Sequence, residues 1–198
     1  LGKKAGVVHI HVGDGKKGLA PLTDLLEDSE YPLEMFVPTH LNRNKRLFEQ
    51  AVQYALMGGN VDLTAGESSE TGYSIPDAME ILLGRGVNMD RVTFSSDGNG
   101  SIPSNQGGGT GVGKMMRLFD DVRECILNRK MDVQTVLKTV TSNVAKVLRL
   151  YPQKGVLSVG SDADILVLDE RDLTIESLLI KGTIYINERK IVKKGKYE

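Results

Sequence analysis

His11, His40 and Asp97 each close a short apolar run and open a polar or glycine-rich stretch. Imidazole and carboxylate are the side chains that hold zinc and similar divalent ions, and a carboxylate beside such an ion can also carry a proton. In parallel βα architecture the carboxyl ends of the strands gather on one side, so residues at equivalent strand ends converge. The chemistry open to such a cluster is metal-assisted hydrolysis, with Asp97 as the acid–base group. Each residue also has a plainer reading. A strand-end histidine is an ordinary hydrogen-bonding group, and an aspartate before Gly98-Asn99-Gly100 is an ordinary turn or cap residue. Arg43, three residues after His40, can offer a planar fork to a carboxylate, and at a helix start it is also an ordinary surface cation.

The elements that must position these residues follow from the patterning. Ala5-Gly6-Val7-Val8-His9-Ile10-His11-Val12 is a continuous, mostly apolar run and reads as a buried parallel strand. Met35-Phe36-Val37-Pro38-Thr39-His40 reads as a second strand, residues 60–65 as a third with Val61 and Leu63 alternating, and residues 91–96 as a fourth. Helical spacing runs over residues 18–30, then from Asn44 through Leu47, Ala51, Tyr54 and Ala55 to Gly58-Gly59. Ser74-Ile75-Pro76-Asp77 has capping chemistry for a third helix. Further helices are expected over 114–128 and 133–150, the latter broken near Thr141-Ser142-Asn143.

Strands alternating with helices imply right-handed βαβ units and a parallel sheet. Gly107-Gly108-Gly109-Thr110-Gly111-Val112-Gly113 is too glycine-rich to predict regular structure and reads as a mobile substrate loop. From Gly155 the pattern changes to short strands at 164–168, 177–181 and 183–186, with a turn at Asn187-Glu188-Arg189, an antiparallel β appendage. The lysines of 190–196 suit an exposed edge strand that must be kept from pairing.

With 25 Lys plus Arg against 26 Asp plus Glu, the chain has no strong field to draw in nucleic acid or an anionic membrane, so a small, locally recognised substrate is expected. The single Cys125 excludes an internal disulfide, and a cytoplasmic location is the expectation. The 198 residues suffice for one sizeable core. A whole eight-fold βα barrel typically takes ~250 residues.

The stretches His11-Val12-Gly13-Asp14-Gly15-Lys16-Lys17, Pro38-Thr39-His40-Leu41-Asn42-Arg43-Asn44 and Ser95-Ser96-Asp97-Gly98-Asn99-Gly100-Ser101 resemble the isoaspartyl (β-aspartyl) dipeptidases among the metal-dependent amidohydrolases. The tail Gly155-Val156-Leu157-Ser158-Val159-Gly160-Ser161-Asp162-Ala163-Asp164-Ile165-Leu166-Val167 resembles amidohydrolases generally. The resemblance implies an α/β fold: the C-terminal half of a (β/α)8 TIM-type hydrolase barrel over residues 1–154, plus a β-sandwich appendage segment over 155–198. It implies that His11 and His40 bind one metal, that Asp97 binds a second and shuttles the proton, and that Arg43 and Ser101 contact the carboxylates of a β-aspartyl dipeptide.

Two zinc ions are implied for the complete site, with a bridging carboxylated lysine outside this chain. His9-Ile10-His11 looks like the family's first-strand His-x-His pair, but too few strands separate it from Asp97, which leaves His9 a supporting role and gives no reason to promote Lys16, Lys17 or Lys45. The missing N-terminal half is then the principal partner, a homo-oligomer is expected, and this chain alone should be inactive. Competing readings are a dihydroorotase-like enzyme, an N-acyl amino acid deacetylase, or a non-catalytic binding or assembly module.

Overall fold

Four short strands alternate with helices through the first half of the chain: β1 Val8–His11, α1 Ala20–Glu27, β2 Phe36–Thr39, α2 Lys45–Leu56, β3 Val61–Thr64, α3 Ile75–Gly84 and β4 Val92–Ser95. The computed structural model describes residues 6–67, 69–103 and 110–195, with the backbone alone at 101–103 and 110–112. β1 pairs in parallel with β2, setting His11 opposite Thr39, and β3 pairs in parallel with β4, setting Thr64 opposite Ser95.

The expected single parallel sheet is therefore two parallel pairs. They adjoin at a looser seam between β2 and β3, where Leu41 donates to the Asp62 carbonyl at 3.4 Å. Pro38 explains the seam. The Thr39 carbonyl accepts from Val12 on the β1 side, so the donor that Pro38 lacks falls on the β3 side.

The helices form where capping and apolar spacing agree. Asn44 accepts from the Leu47 amide at 2.8 Å at the start of α2, whose Leu47, Phe48, Ala51, Val52, Tyr54 and Ala55 are buried against the strands. Ser74 accepts from the Asp77 amide and donates to its carboxylate, the capping arrangement expected from that stretch. β3 is buried along its whole length, including Asp62 and Thr64, so both of its faces are covered.

β5 Ser101–Pro103 and β6 Thr110–Val112 pair antiparallel, with Ser101 opposite Val112. This corrects the expectation of an irregular loop over 107–113: its second half is a strand, and residues 104–109 lie outside the described set. The pairing is made by backbone groups, which glycine supplies as well as any residue. α4 Met116–Arg123 runs into a π-turn at Glu124–Asn128, and α5 Val133–Val140 and α6 Ser142–Val147 are separated at Thr141, as the polar break suggested. Asn143 then donates to the carbonyls of Met89 and Val92, fastening α6 to the start of β4.

The tail forms one antiparallel sheet of β7 Ile165–Leu168, β8 Ile175–Ile180, β9 Thr183–Asn187 and β10 Lys190–Ile191, in that spatial order. β8 starts earlier than expected, at Ile175. Glu188 and Arg189 both have positive φ, 48° and 66°, as the tight β9–β10 turn requires. Lys190 falls in an edge strand. No helix among the described residues is long and apolar enough to cross a membrane.

Candidate metal centre and substrate site

The end of β1 and the residue after β2 bring His11 and His40 together. His11 Nδ1 lies 3.0 Å from His40 Nε2. His40 has a φ of 64°, a left-handed kink that ends the strand and that histidine tolerates better than a β-branched residue would. It is 5% exposed. Burial, helped by the Arg43 charge and opposed by Asp97, pulls its pKa down to about 4, so the ring is neutral at pH 7 with a lone pair to give. The His9 ring meets that of His11 edge to face, centroids 5.2 Å apart.

The donor set suits a divalent ion. Two imidazoles with nitrogens 3.0 Å apart are both within reach of one ion at the usual ~2.1 Å metal–nitrogen distance. Among the described residues, however, no three His, Cys, Asp or Glu side chains close into a metal cluster, so Asp97 is not gathered with the two histidines. It stands close enough to His40 to favour the protonated ring.

Asp97 itself follows β4 in a left-handed conformation, φ 46°. Its carbonyl accepts from the Gly100 amide at 3.0 Å. A Cβ at Gly100 would come within 2.7 Å of Asp97 Oδ1, so the turn packs directly on the carboxylate and requires glycine there.

Arg43 lies close enough to His40 for its charge to act on that ring. Its Nη1 donates to the Val12 carbonyl at 3.3 Å, and its Nε lies 3.5 Å from Glu67 Oε1, with both side chains about a quarter exposed. Burial raises the Glu67 carboxyl above its ordinary value, and Arg43 opposes that shift. Ser101 begins β5, and its side chain lies outside the described set.

Sequence reasoning assigned nothing to Asn42, Asp62, Thr64 or Glu67. The buried Asn42 amide donates to the carbonyls of Thr64 and Tyr73, both at 2.9 Å, and accepts from the Thr64 amide at 2.8 Å. It locks the His40–Arg43 loop to β3. Asn42→Ala is expected to cost about 3 kcal/mol, because it strands buried backbone groups. Urea denaturation would show the loss; a change under about 1 kcal/mol would mean that water replaces the amide.

The Amidohydrolase family model matches residues 39–185, and the chain belongs to that family, whose fold is of the TIM-barrel type. Among solved structures it is similar to a β-aspartyl dipeptidase from Fervidobacterium islandicum AW-1 in complex with β-Asp-Leu dipeptide: 36% identity, TM-score 0.87, covering 98% of this chain and 51% of that one. An adenosine deaminase from Xanthomonas campestris with bound zinc shares the fold at 16% identity and TM-score 0.58, covering 96% of this chain and 48% of that one. Dihydropyrimidinase from Rattus norvegicus is 48% identical over 40 residues, 20% of this chain and 8% of that protein. The chain thus spans about half the length of these two solved structures.

Proposed function

We propose that this chain carries part of the active site of a β-aspartyl dipeptidase, which hydrolyses the isopeptide bond between an aspartyl side-chain carboxyl and a following amino acid. The observation that carries the reading is the His11–His40 pair with Arg43 on the same loop, supported by the 36% identity to a protein solved with β-Asp-Leu. His11 and His40 would hold one divalent ion and Asp97 a second. Ions so held supply Lewis-acid activation of water and of the scissile carbonyl.

The chain's own residues do the rest. Arg43 binds the carboxylate of the residue after the isopeptide bond, and Ser101 contacts the α-carboxylate of the aspartyl residue. Asp97 takes a proton from the attacking water and returns it to the leaving amine, so that one carboxyl and one ammonium product result. Residues 1–154 are read as the C-terminal half of the barrel and 155–198 as an appendage segment. An N-terminal half would supply the remaining ligands, including a carboxylated lysine, and the isolated chain would lack activity.

The short match to dihydropyrimidinase favours a second reading, hydrolysis of a cyclic amide. The zinc-loaded complete protein, offered β-Asp-Leu and dihydrouracil side by side, decides between them. Cleavage of β-Asp-Leu alone is expected, and opening of the ring alone would overturn the proposal.

Glu67 presents to Arg43 the same group that the substrate would, so it competes with substrate for the fork. Glu67→Gln is expected to lower KM for β-Asp-Leu about threefold, since a partly exposed ion pair is worth up to about 1 kcal/mol. An unchanged or higher KM in steady-state kinetics would show that Glu67 does not compete.

A further inference from the structure

His40 uses both ring nitrogens, and the second leads away from His11 into a chain of hydroxyls. Nε2 faces His11, while Nδ1 lies 2.9 Å from the Thr64 hydroxyl, deep in the fold. The next oxygen is Thr39 Oγ1, 3.5 Å from Thr64 Oγ1, and Thr39 in turn donates to Asp62 Oδ2 at 2.5 Å. Asp62 is 4% exposed and also accepts from Thr93 at 2.6 Å and Ser95 at 2.5 Å. One carboxylate therefore receives hydroxyls from β2 and β4 while sitting on β3.

We propose that Thr64, oriented through Thr39 by the buried Asp62, is a positioning residue that keeps the His40 proton on Nδ1 and so leaves Nε2 free to bind metal. This rests on the reading of His40 as a metal ligand. A neutral imidazole carries its proton on one nitrogen only, and a ligand nitrogen must be bare. With Asp62 accepting, the Thr39 hydroxyl proton points to Asp62, which leaves Thr39 oxygen lone pairs for the Thr64 proton. Thr64 then presents its own lone pairs to His40, and Nδ1–H donates into them.

Fastening three strands together could be done by apolar side chains at no desolvation cost. Burial raises the Asp62 carboxyl against the pull of its three hydroxyls, so the arrangement is costly as a mere clamp. Metal-binding histidines commonly have their other nitrogen fixed by such a partner, and its loss weakens metal binding about 10–100-fold.

The test uses the complete protein and Co2+ as the metal probe. Thr64→Val removes the hydroxyl at nearly constant volume, Thr64→Ser keeps it, and His40→Asn reports whether His40 is a ligand. In the metal-free protein, 15N shifts of the His40 ring report the tautomer. Expected are a shift of Thr64→Val toward the Nε2–H tautomer, a loss of Co2+ affinity of about 10-fold or more, and recovery in Thr64→Ser. Asp62→Asn, checked for folding by urea denaturation, is expected to weaken Co2+ binding in the same direction.

If His40→Asn loses Co2+ while Thr64→Val keeps both the native tautomer and native affinity, the positioning role is overturned and the metal reading stands. Native Co2+ affinity in folded Asp62→Asn would overturn the relay. If His40→Asn binds Co2+ as tightly as the unaltered protein, the metal reading fails and the proposal falls with it.

Discussion

Asp97→Asn is expected to reduce kcat for β-Asp-Leu by about 10³-fold, within the 10²–10⁴-fold range of positioned acid–base groups, while KM moves little. The fold should survive the change. Asp97 holds a φ of 46°, a conformation that asparagine adopts at least as readily as aspartate, and the Gly100 amide bonds to its backbone carbonyl, which the substitution leaves in place. The amide is nearly isosteric, so the close approach of Gly100 is undisturbed. What disappears is the ability to accept a proton from water and return it to an amine, and with it the negative charge that would hold the second ion, so both proteins are compared at saturating metal. Steady-state kinetics beside a denaturation curve would separate the two effects. Turnover within about threefold of the unaltered enzyme, in a folded variant, would remove Asp97 from proton transfer.

Arg43→Ala is expected to raise KM for β-Asp-Leu by about 10–100-fold, the worth of a charge-assisted hydrogen-bonded pair. The same variant should lose little on a substrate whose terminal carboxylate is amidated, because the guanidinium then has no anion to meet. Arg43 also donates to the Val12 carbonyl and pairs with Glu67, so some loss common to both substrates is expected from a loosened loop. The difference between the substrates is what measures recognition. Equal losses for both would leave Arg43 as a tether between the β1 loop and the residues after β3.

Pro38 and Asp62 show why part of this architecture was readable in one dimension and part was not. The four parallel strands, the α3 cap at Ser74, the break at Thr141 and the turn at Glu188-Arg189 depend on neighbours within a few residues, and the pattern revealed them, although β1, expected to be buried, is largely exposed. The seam between β2 and β3 could have been suspected from Pro38, but it becomes visible only when the Thr39 carbonyl shows which side the missing donor faces. The β5–β6 pairing was hidden because a glycine-rich stretch has little side-chain signal for a strand.

The sequence by itself determined which residue types were available for chemistry and at which strand ends they stand: His11, His40, Asp97 and, three residues past a histidine, Arg43. It also carried the resemblance that the amidohydrolase match over 39–185 supports. Only the tertiary structure decided that two imidazoles 29 positions apart share a 3.0 Å contact, and that Asp97 stays outside any three-donor cluster among the described residues. Only it showed Asp62 and Thr64 as interior residues facing hydroxyls and an imidazole 23 to 33 positions away. The physical reason is that strand and helix periodicity is written in local spacing. Which polar side chains meet inside a βα fold depends on strand order, register and the kink at His40, and these are settled by packing across the whole core.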